Sequence, residues 1–487
     1  MSRKICFAAS EVAPLAKTGG LADVAGALGR YLHQRGHDVR LFMPYYSTID
    51  LRGQVPTAVA EAQQVQVQLG RQQVEFSLHA TVLPGSGVPV YLVHCPQLYA
   101  RDSLYTNAAD EHLRFFLFQL AILESCQRLR FAPDVMHCND WHTGLLPQLL
   151  RTRYAWDSLF ARTRTLLTIH NIGYQGVFPA ATATELGLDA TPGLLHAGEL
   201  ARGSINWLRQ GLLLADAVST VSPTYAQEIC TPQGGYGLDD TLRARAVPAI
   251  GILNGVDYDE WNPENDRLLS RHYSADQPDG KRLLKADLQA RFGLQREDNV
   301  PLAGIVSRLT VQKGFDLLFD TLPGILDSRP LQLAILGTGE PRYVSFFADL
   351  AKHYPGRVAF HTGYHEELAH LIEAGSDMFI MPSLYEPCGL NQMYSLKYGT
   401  VPIVRKTGGL ADSVQMWDPQ SGQGTGVVFN DFDAPAMRWA LGTALDLYAD
   451  RETWRRIMRN GMTRDFSWRT QGREYERLYE QLAGRDS

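Results

Sequence analysis

Short apolar runs alternate with glycine-bearing turns and amphipathic helices along this chain, and that alternation restricts the fold more than any other feature. KICFAAS (4–10) is an apolar run of strand type. After a turn containing Gly19 and Gly20, LADVAGALGRYLHQRGH places Leu21, Val24, Leu28 and Leu32 at helical spacing, with Gly36 as its stop. DVRLFMPYY then reads as a strand, which completes a βαβ unit. DVMHC (134–138), TLLTIH (165–170) and AVSTVS (217–222) continue the series as buried parallel strands, and Ser222-Pro223 supplies an N-cap and first residue for a helix around TYAQEI. GILNGVD (251–257) ends in turn chemistry. From about residue 300 the grammar restarts, with PLAGIVSRL and LQLAILGTG as strands around a helix over FDLLFDTLPGIL. RVAFHTG, DMFIMPS and VPIVRKTGG follow as strand-to-loop transitions. The spacing predicts two doubly wound α/β domains, 1–250 and 257–466, with the charged segment 260–298 at their junction. WRTQGREYERLYEQLAG closes the chain as a polar-faced helix.

A chain of 487 residues exceeds one ordinary core. Its net charge of −6 offers no bulk attraction to phosphate backbones, which argues against a nucleic-acid binder. The six cysteines are scattered singly, without CxxC spacing, as expected of reduced thiols in a cytoplasm. The basic start MSRKICFAASEVAPLAK has too brief an apolar run for a signal peptide, and no stretch is long and apolar enough to span a membrane.

In such sheets ligands sit at the carboxyl ends of strands, where loops lead into helix N-termini. The string KTGGLAD occurs at such a loop twice, at 17–23 and at 406–412. Gly19 and Gly20 let backbone N–H groups approach an anion and Lys17 adds a charge; the alternative is a tight turn with a solvated lysine. In the second copy the glycines can serve backbone turning alone. VSRLTVQKG (306–314) puts Arg308 and Lys313 in one strand-to-helix loop, where a guanidinium fork and an ammonium can converge on a diphosphate or simply remain solvated. SLYEPCGLNQMYSLKYG (383–399) sets Glu386 before Cys388 and Gly389 at the approach to a helix, either to accept from sugar hydroxyls or to cap that helix. HCNDWHTG and TIHNIGYQG place Asp140, His142, His170 and Asn171 just past strands. Their spacing matches no metal motif and suits hydrogen bonding to a polyhydroxylated ligand. LGTGEP lacks the third glycine of a dinucleotide fingerprint.

Taken together, SEVAPLAKTGGLADV, DWHTG, HNIGYQG, VSPTYAQEI, LNGVD, SRLTVQKGFDLL, TGYHEE, PSLYEPCGLNQMYSLKYGT and RKTGGLADSV resemble the bacterial glycogen synthase and plant starch synthase family, from about residue 4 to DFSW near 465. The resemblance implies a GT-B fold: two Rossmann-like domains facing across a deep cleft, the N-terminal one on the acceptor side, the C-terminal one on the nucleotide-sugar side, and a helix over 467–487 crossing back. On this resemblance a whole synthase is expected, without a transit peptide or added carbohydrate-binding module. It implies retaining transfer of glucose from ADP-glucose to the 4-hydroxyl at the non-reducing end of an α-1,4-glucan, without cofactor or metal. Lys17 then matches a donor-contacting lysine, Arg308 and Lys313 the diphosphate pair, and Asp140 and His170 positions beside the transferred glucose. Glu386 matches the sugar-contacting carboxylate and Tyr364 the aromatic next to the base. Gly19, Gly20, Asp23, Asn254, Gly363, Cys388, Gly389 and Leu390 complete the implied donor-binding set. The broader superfamily's E-x7-E pattern would need Glu at 394, where this chain has Tyr394. Two other enzyme readings remain open, a UDP-glucose transferase with a small acceptor and a nucleotide-linked dehydrogenase, and so does a non-catalytic glucan-binding scaffold.

Overall fold

The computed structural model describes residues 2–70, 72–190 and 193–484. Residues 485–487 of the expected C-terminal helix lie outside the described residues. The chain divides into two compact units. The first comprises Met1–Val221, Ala226–Gly255 and Trp468–Ser487; the second comprises Ser222–Tyr225 and Val256–Ser467.

In the first unit seven strands run parallel, in the order Ile250–Gly251, Ala217–Thr220, Arg164–Ile169, Val135–Asn139, Lys4–Ala8, Asp38–Pro44 and Pro89–His94. Gln72–Val82 adds antiparallel at the end, and Val65–Leu69 and Thr57–Ala58 pair with it. The parallel strands are buried on both faces, so they read as continuous apolar runs rather than alternating ones. Lys4–Ala8 lies between the strand that follows it and Val135–Asn139, so the winding reverses there. The crevice outside its carboxyl end is where such sheets bind ligands. The helix Trp468–Ala483 packs on the first helix, Gly20–Gln34. Tyr31 Oη donates to Glu476 Oε2 at 2.6 Å, and a Cβ at Gly472 would fall 2.4 Å from the Tyr31 ring. His137 Nδ1 is hydrogen-bonded to Tyr479 Oη at 2.8 Å and Nε2 to Thr168 Oγ1 at 2.6 Å, so this histidine belongs to the core.

The second unit is built on an all-parallel sheet in the order Val358–Thr362, Gln332–Gly339, Leu302–Leu309, Met378–Met381, Val401–Arg405 and Val427–Phe429. The winding reverses between Leu302–Leu309 and Met378–Met381, and that point fixes the second crevice. Two local differences from the sequence reading have simple causes. FDLLFDTLPGIL is not one helix but two short ones, Asp316–Phe319 and Leu322–Ser328. Pro323 in the first turn of the latter has no N–H to continue the former, and Thr321 Oγ1 bonds back to Leu317 O at 2.6 Å. The segment 260–298 contains a full helix, Asp279–Phe292, ended by Gly293 in the left-handed conformation at φ +67°. Gly337 and Gly339 serve strand packing: a Cβ on either would lie 2.2–2.3 Å from the Ser307 or Leu309 carbonyl oxygen. Among the described residues no helix is long and apolar enough to cross a membrane.

Candidate active site

In the first unit the loop after Lys4–Ala8 folds back on a buried carboxylate. Glu11 is 3% exposed, and its Oε2 accepts from Thr18 Oγ1 at 2.8 Å and from the Thr18 backbone N–H. Burial pushes the Glu11 carboxyl up to about 7, while the Thr18 bonds pull the other way. Glu11 thereby seats the KTGG turn at the start of Gly20–Gln34. Lys17 is exposed, and its Nζ pairs with Asp23 Oδ1 at 2.7 Å. Neither glycine here has positive φ. A Cβ on Gly20 would meet nothing within 4 Å, so the space over this helix start is open.

Asp140 follows the neighbouring strand Val135–Asn139 with φ +54°, a conformation rare outside glycine that turns its carboxylate back across the strand ends. Oδ1 accepts the His170 backbone N–H at 2.7 Å, and burial pushes the Asp140 carboxyl up to about 7. The His170 side chain is also buried. Nε2–H donates to Asn139 Oδ1 at 2.8 Å, while Asn139 Nδ2 is oriented by Ala8 O at 3.0 Å. Burial lowers His170 to about 3, so at neutral pH the ring is uncharged with its proton on Nε2. His142 is stacked on Trp141 at 4.0 Å and held neutral by burial, so it shapes the wall of this loop cluster. Asn254, also in the first unit, is 4% exposed, and its Oδ1 has no hydrogen-bond partner.

In the second unit Arg308 is the next-to-last residue of the strand Leu302–Leu309. It is exposed, and its guanidinium meets no carboxylate among the described residues. Lys313, in the following turn, reaches across the reversal point: Nζ lies 2.7 Å from Glu386 Oε2, which also accepts from Ser383 Oγ at 2.9 Å. The two loops are joined by backbone as well, Leu384 N–H donating to Gln312 O at 2.9 Å. Gly314 has φ +69°, and a Cβ there would sit 2.0 Å from Pro382 O, so only glycine fits. Glu386 does not cap a helix, because the next one, Asn391–Lys397, begins five positions later. Gln392 Nε2 ties down the loop by donating to Cys388 O and Gly389 O at 3.1 and 3.0 Å, just before Leu390. Gly363 turns with φ +112° and leaves Tyr364 70% exposed beyond the strand Val358–Thr362. Tyr394 is no ribose partner in waiting. Its ring is buried and stacked on Trp261 at 4.0 Å and 1°.

The two KTGGLAD copies differ sharply in their surroundings. In the second, Thr407, Gly408 and Gly409 are buried under the Glu386 loop. Gly408 has φ +42°, with its Cβ position 1.9 Å from Glu386 O, and that of Gly409 is 2.1 Å from Cys388 O. Gly409 N–H donates to Glu386 O at 3.1 Å. Asp412, the counterpart of Asp23, accepts from Thr224 Oγ1 and N–H at 2.7 and 2.8 Å. Lys406 borders a cavity of about 600 Å³ whose lining includes Asp412, Trp439 and Arg464 but neither Lys313 nor Glu386.

Sequence reasoning passed over Glu11 and Asn139. A glutamate inside the apolar run AASEVAPLA was the available signal for the first; Asn139 carried none.

Two parallel-sheet units, each gathering polar and charged side chains where its winding reverses, define a two-domain glycosyltransferase of the GT-B class. The family described as starch synthase catalytic domain matches residues 4–244, and that described as glycosyl transferases group 1 matches 288–461. A glycogen synthase of Geotalea uraniireducens (strain Rf4) is 43% identical over 489 residues, covering 98% of each chain. One of Koribacter versatilis (strain Ellin345) is 45% identical over 483 residues, covering 98% of this chain and 97% of its own. Among solved structures, the catalytic domain of starch synthase IV from Arabidopsis thaliana, bound to ADP and acarbose, superposes with a TM-score of 0.92 at 33% identity over 100% of both chains. Sucrose-phosphate synthase from Thermosynechococcus elongatus shares the fold, with a TM-score of 0.61 at 18% identity over 99% of both chains. The chain belongs to the glycogen and starch synthase family of glycosyltransferases.

Proposed function

We propose that this enzyme transfers glucose from ADP-glucose to the 4-hydroxyl at the non-reducing end of an α-1,4-glucan, with retention at the anomeric carbon. The observation that carries the reading is the basic pair at the second unit's reversal point: Arg308 exposed beside Lys313, which Glu386 holds at 2.7 Å. The leaving group is a diphosphate that gains negative charge as the glycosidic bond breaks. A guanidinium and an ammonium already in place stabilise that charge without reorganising at the moment of reaction. Lys17, beside the open helix start at Gly20 in the first unit, is assigned to the donor as well. Glu386 is assigned to the sugar hydroxyls, Tyr364 to the base, and Gly363, Cys388, Gly389 and Leu390 to backbone contacts with the donor. The orphaned Asn254 Oδ1 is matched to a ligand hydroxyl.

Asp140 and His170 act as a hydrogen-bonding wall beside the transferred glucose, the imidazole uncharged and the carboxyl pushed up to about 7 by burial. Asp140 Oδ1 accepts the His170 N–H, and the carboxyl is assigned to hydrogen bonding rather than to nucleophilic attack. Same-face attack therefore accounts for retention, with the departing phosphate accepting the proton of the acceptor 4-hydroxyl. None of the six cysteines forms a disulfide among the described residues, in keeping with a cytoplasmic enzyme.

The test is ADP release by purified protein from ADP-glucose and UDP-glucose, with and without glycogen, in excess EDTA. Glycogen-dependent release from ADP-glucose at an undiminished rate is expected, because protein cations carry the leaving-group charge. Preference for UDP-glucose with a small acceptor would replace this reading, and absence of turnover would leave a glucan-binding scaffold. Loss of rate in EDTA that Mg²⁺ restores would refute metal-independent transfer.

A further inference from the structure

Another cluster of the second unit carries chemistry that glucosyl transfer does not use. His370 lies on the helix Glu366–Gly375 and is 1% exposed. Its Nδ1 is 2.8 Å from Asp266 Oδ2, and Asp266, 2% exposed, also accepts from Tyr398 Oη and the Leu268 N–H. With Tyr398 Oη and the Leu268 N–H already donating to this carboxyl group, Oδ2 is the acceptor for Nδ1–H. The Trp261 ring stacks on the imidazole at 3.7 Å and 17°, which fixes its plane. The remaining nitrogen, Nε2, is buried without a hydrogen-bond partner. Glu366, one helical turn earlier, and Glu260, beside Trp261 in the neighbouring turn, are exposed. One ligand atom from each of Glu260, Glu366 and His370 lies within 4.8 Å of the others.

We propose that Glu260, Glu366 and His370 form a binding site for a borderline divalent cation of the zinc type. A buried imidazole oriented by a carboxylate on its other nitrogen is the arrangement that metal-ligating histidines adopt, because it fixes the tautomer and raises the basicity of the ligating nitrogen. One imidazole and two carboxylates leave a fourth position for water, and the nitrogen ligand favours zinc over the harder magnesium and calcium. Bond lengths of about 2.0–2.2 Å put tetrahedral ligand atoms roughly 3–3.5 Å apart, so the two exposed glutamates need close by only about an ångström. The cation ties the turn bearing Glu260 to the start of the helix that follows Tyr364. It takes no part in the transfer step.

The test is Zn²⁺ titration of the full chain, stripped with chelator, against a chromophoric chelator, with thermal unfolding recorded in parallel. Wild type should take up about one equivalent with a dissociation constant below about 1 µM, and its Tm should rise on addition of zinc. Glu366→Gln and Glu260→Gln, both exposed and so compatible with the fold, should each weaken binding by about tenfold or more and abolish the Tm rise. Binding by wild type no tighter than about 100 µM would overturn the proposal. So would either variant binding zinc as tightly as wild type, which would place the ion elsewhere, for example on thiols.

Discussion

Lys17 and Lys406 open identical strings, yet only in the first does a glycine of the pair have open space over it. Loss of one positioned donor of charge stabilisation costs about 10²–10³ in rate. Lys17→Ala should therefore lower kcat with ADP-glucose by about 10² or more, and Lys406→Ala by less than about tenfold. Comparing kcat and KM for the two variants decides it, and equal large losses would mean that the repeated string is repeated chemistry. Glu11 sets a second test at this scale. Its carboxyl rises from 4.5 to about 7 on folding, so between those pH values the native state binds more protons than the unfolded one. Stability from this group is therefore present at pH 4.5 and falls as pH rises to 7. Glu11→Gln keeps an acceptor for Thr18 and removes the titration. The stability of wild type relative to the variant should drop between pH 4.5 and 8 by up to about 3 kcal/mol. Urea unfolding of both proteins across that range measures it, and parallel curves would show that Glu11 does not titrate there.

The same asymmetry at the level of elements separates a glycine kept for a ligand from one kept for packing. Gly20 begins a 15-residue helix with nothing over it, whereas Gly409 lies in a six-residue helix wedged beneath Cys388. Gly409→Ala should cost about 1–3 kcal/mol or more, since backbone rather than a flexible side chain stands in the way. Gly20→Ala should leave stability unchanged or slightly raised while increasing KM for ADP-glucose. Chemical unfolding and steady-state kinetics on the pair test this, and an unstable Gly20→Ala with normal KM would reverse the assignment. The strands and the loops holding Lys17, Arg308, Lys313 and Glu386 were legible because a buried parallel strand is a continuous apolar run and its loop carries glycines and charge. What each loop touches was not. The Lys313–Glu386 pair joins positions 73 apart, and only the strand order brings them together. In the cluster of Glu260, Glu366 and His370, the last two stand four apart on one helix, but no local spacing ties Glu260 to them. The break at Thr321-Pro323 was written in the sequence, but the helical periodicity on either side masked it.

For the whole molecule, chain connectivity makes the last helix a component of the first unit although it follows the second in sequence. Trp468, Tyr475, Leu478, Tyr479 and Leu482 are buried there. At about 1.5–3 kcal/mol for each buried apolar side chain, their removal forfeits on the order of 10 kcal/mol, comparable to the net stability of a whole domain. It also strips His137 Nδ1 of its Tyr479 partner deep in the sheet. The second unit keeps its own core, including Ile305, Ile335, Ile380 and Ile403, and loses nothing covalent to that core. A chain ending at Ser467 should therefore lose turnover and the slow amide exchange of Lys4–Ala8 and Val135–Asn139. Protection of Leu302–Leu309 and Gln332–Gly339 should persist, together with ADP binding through Arg308 and Lys313. Hydrogen exchange read peptide by peptide, with and without ADP, distinguishes the outcomes. Protection lost equally from both units would show that they fold as one, and protection lost from neither would show that the helix is not needed to hold the first sheet.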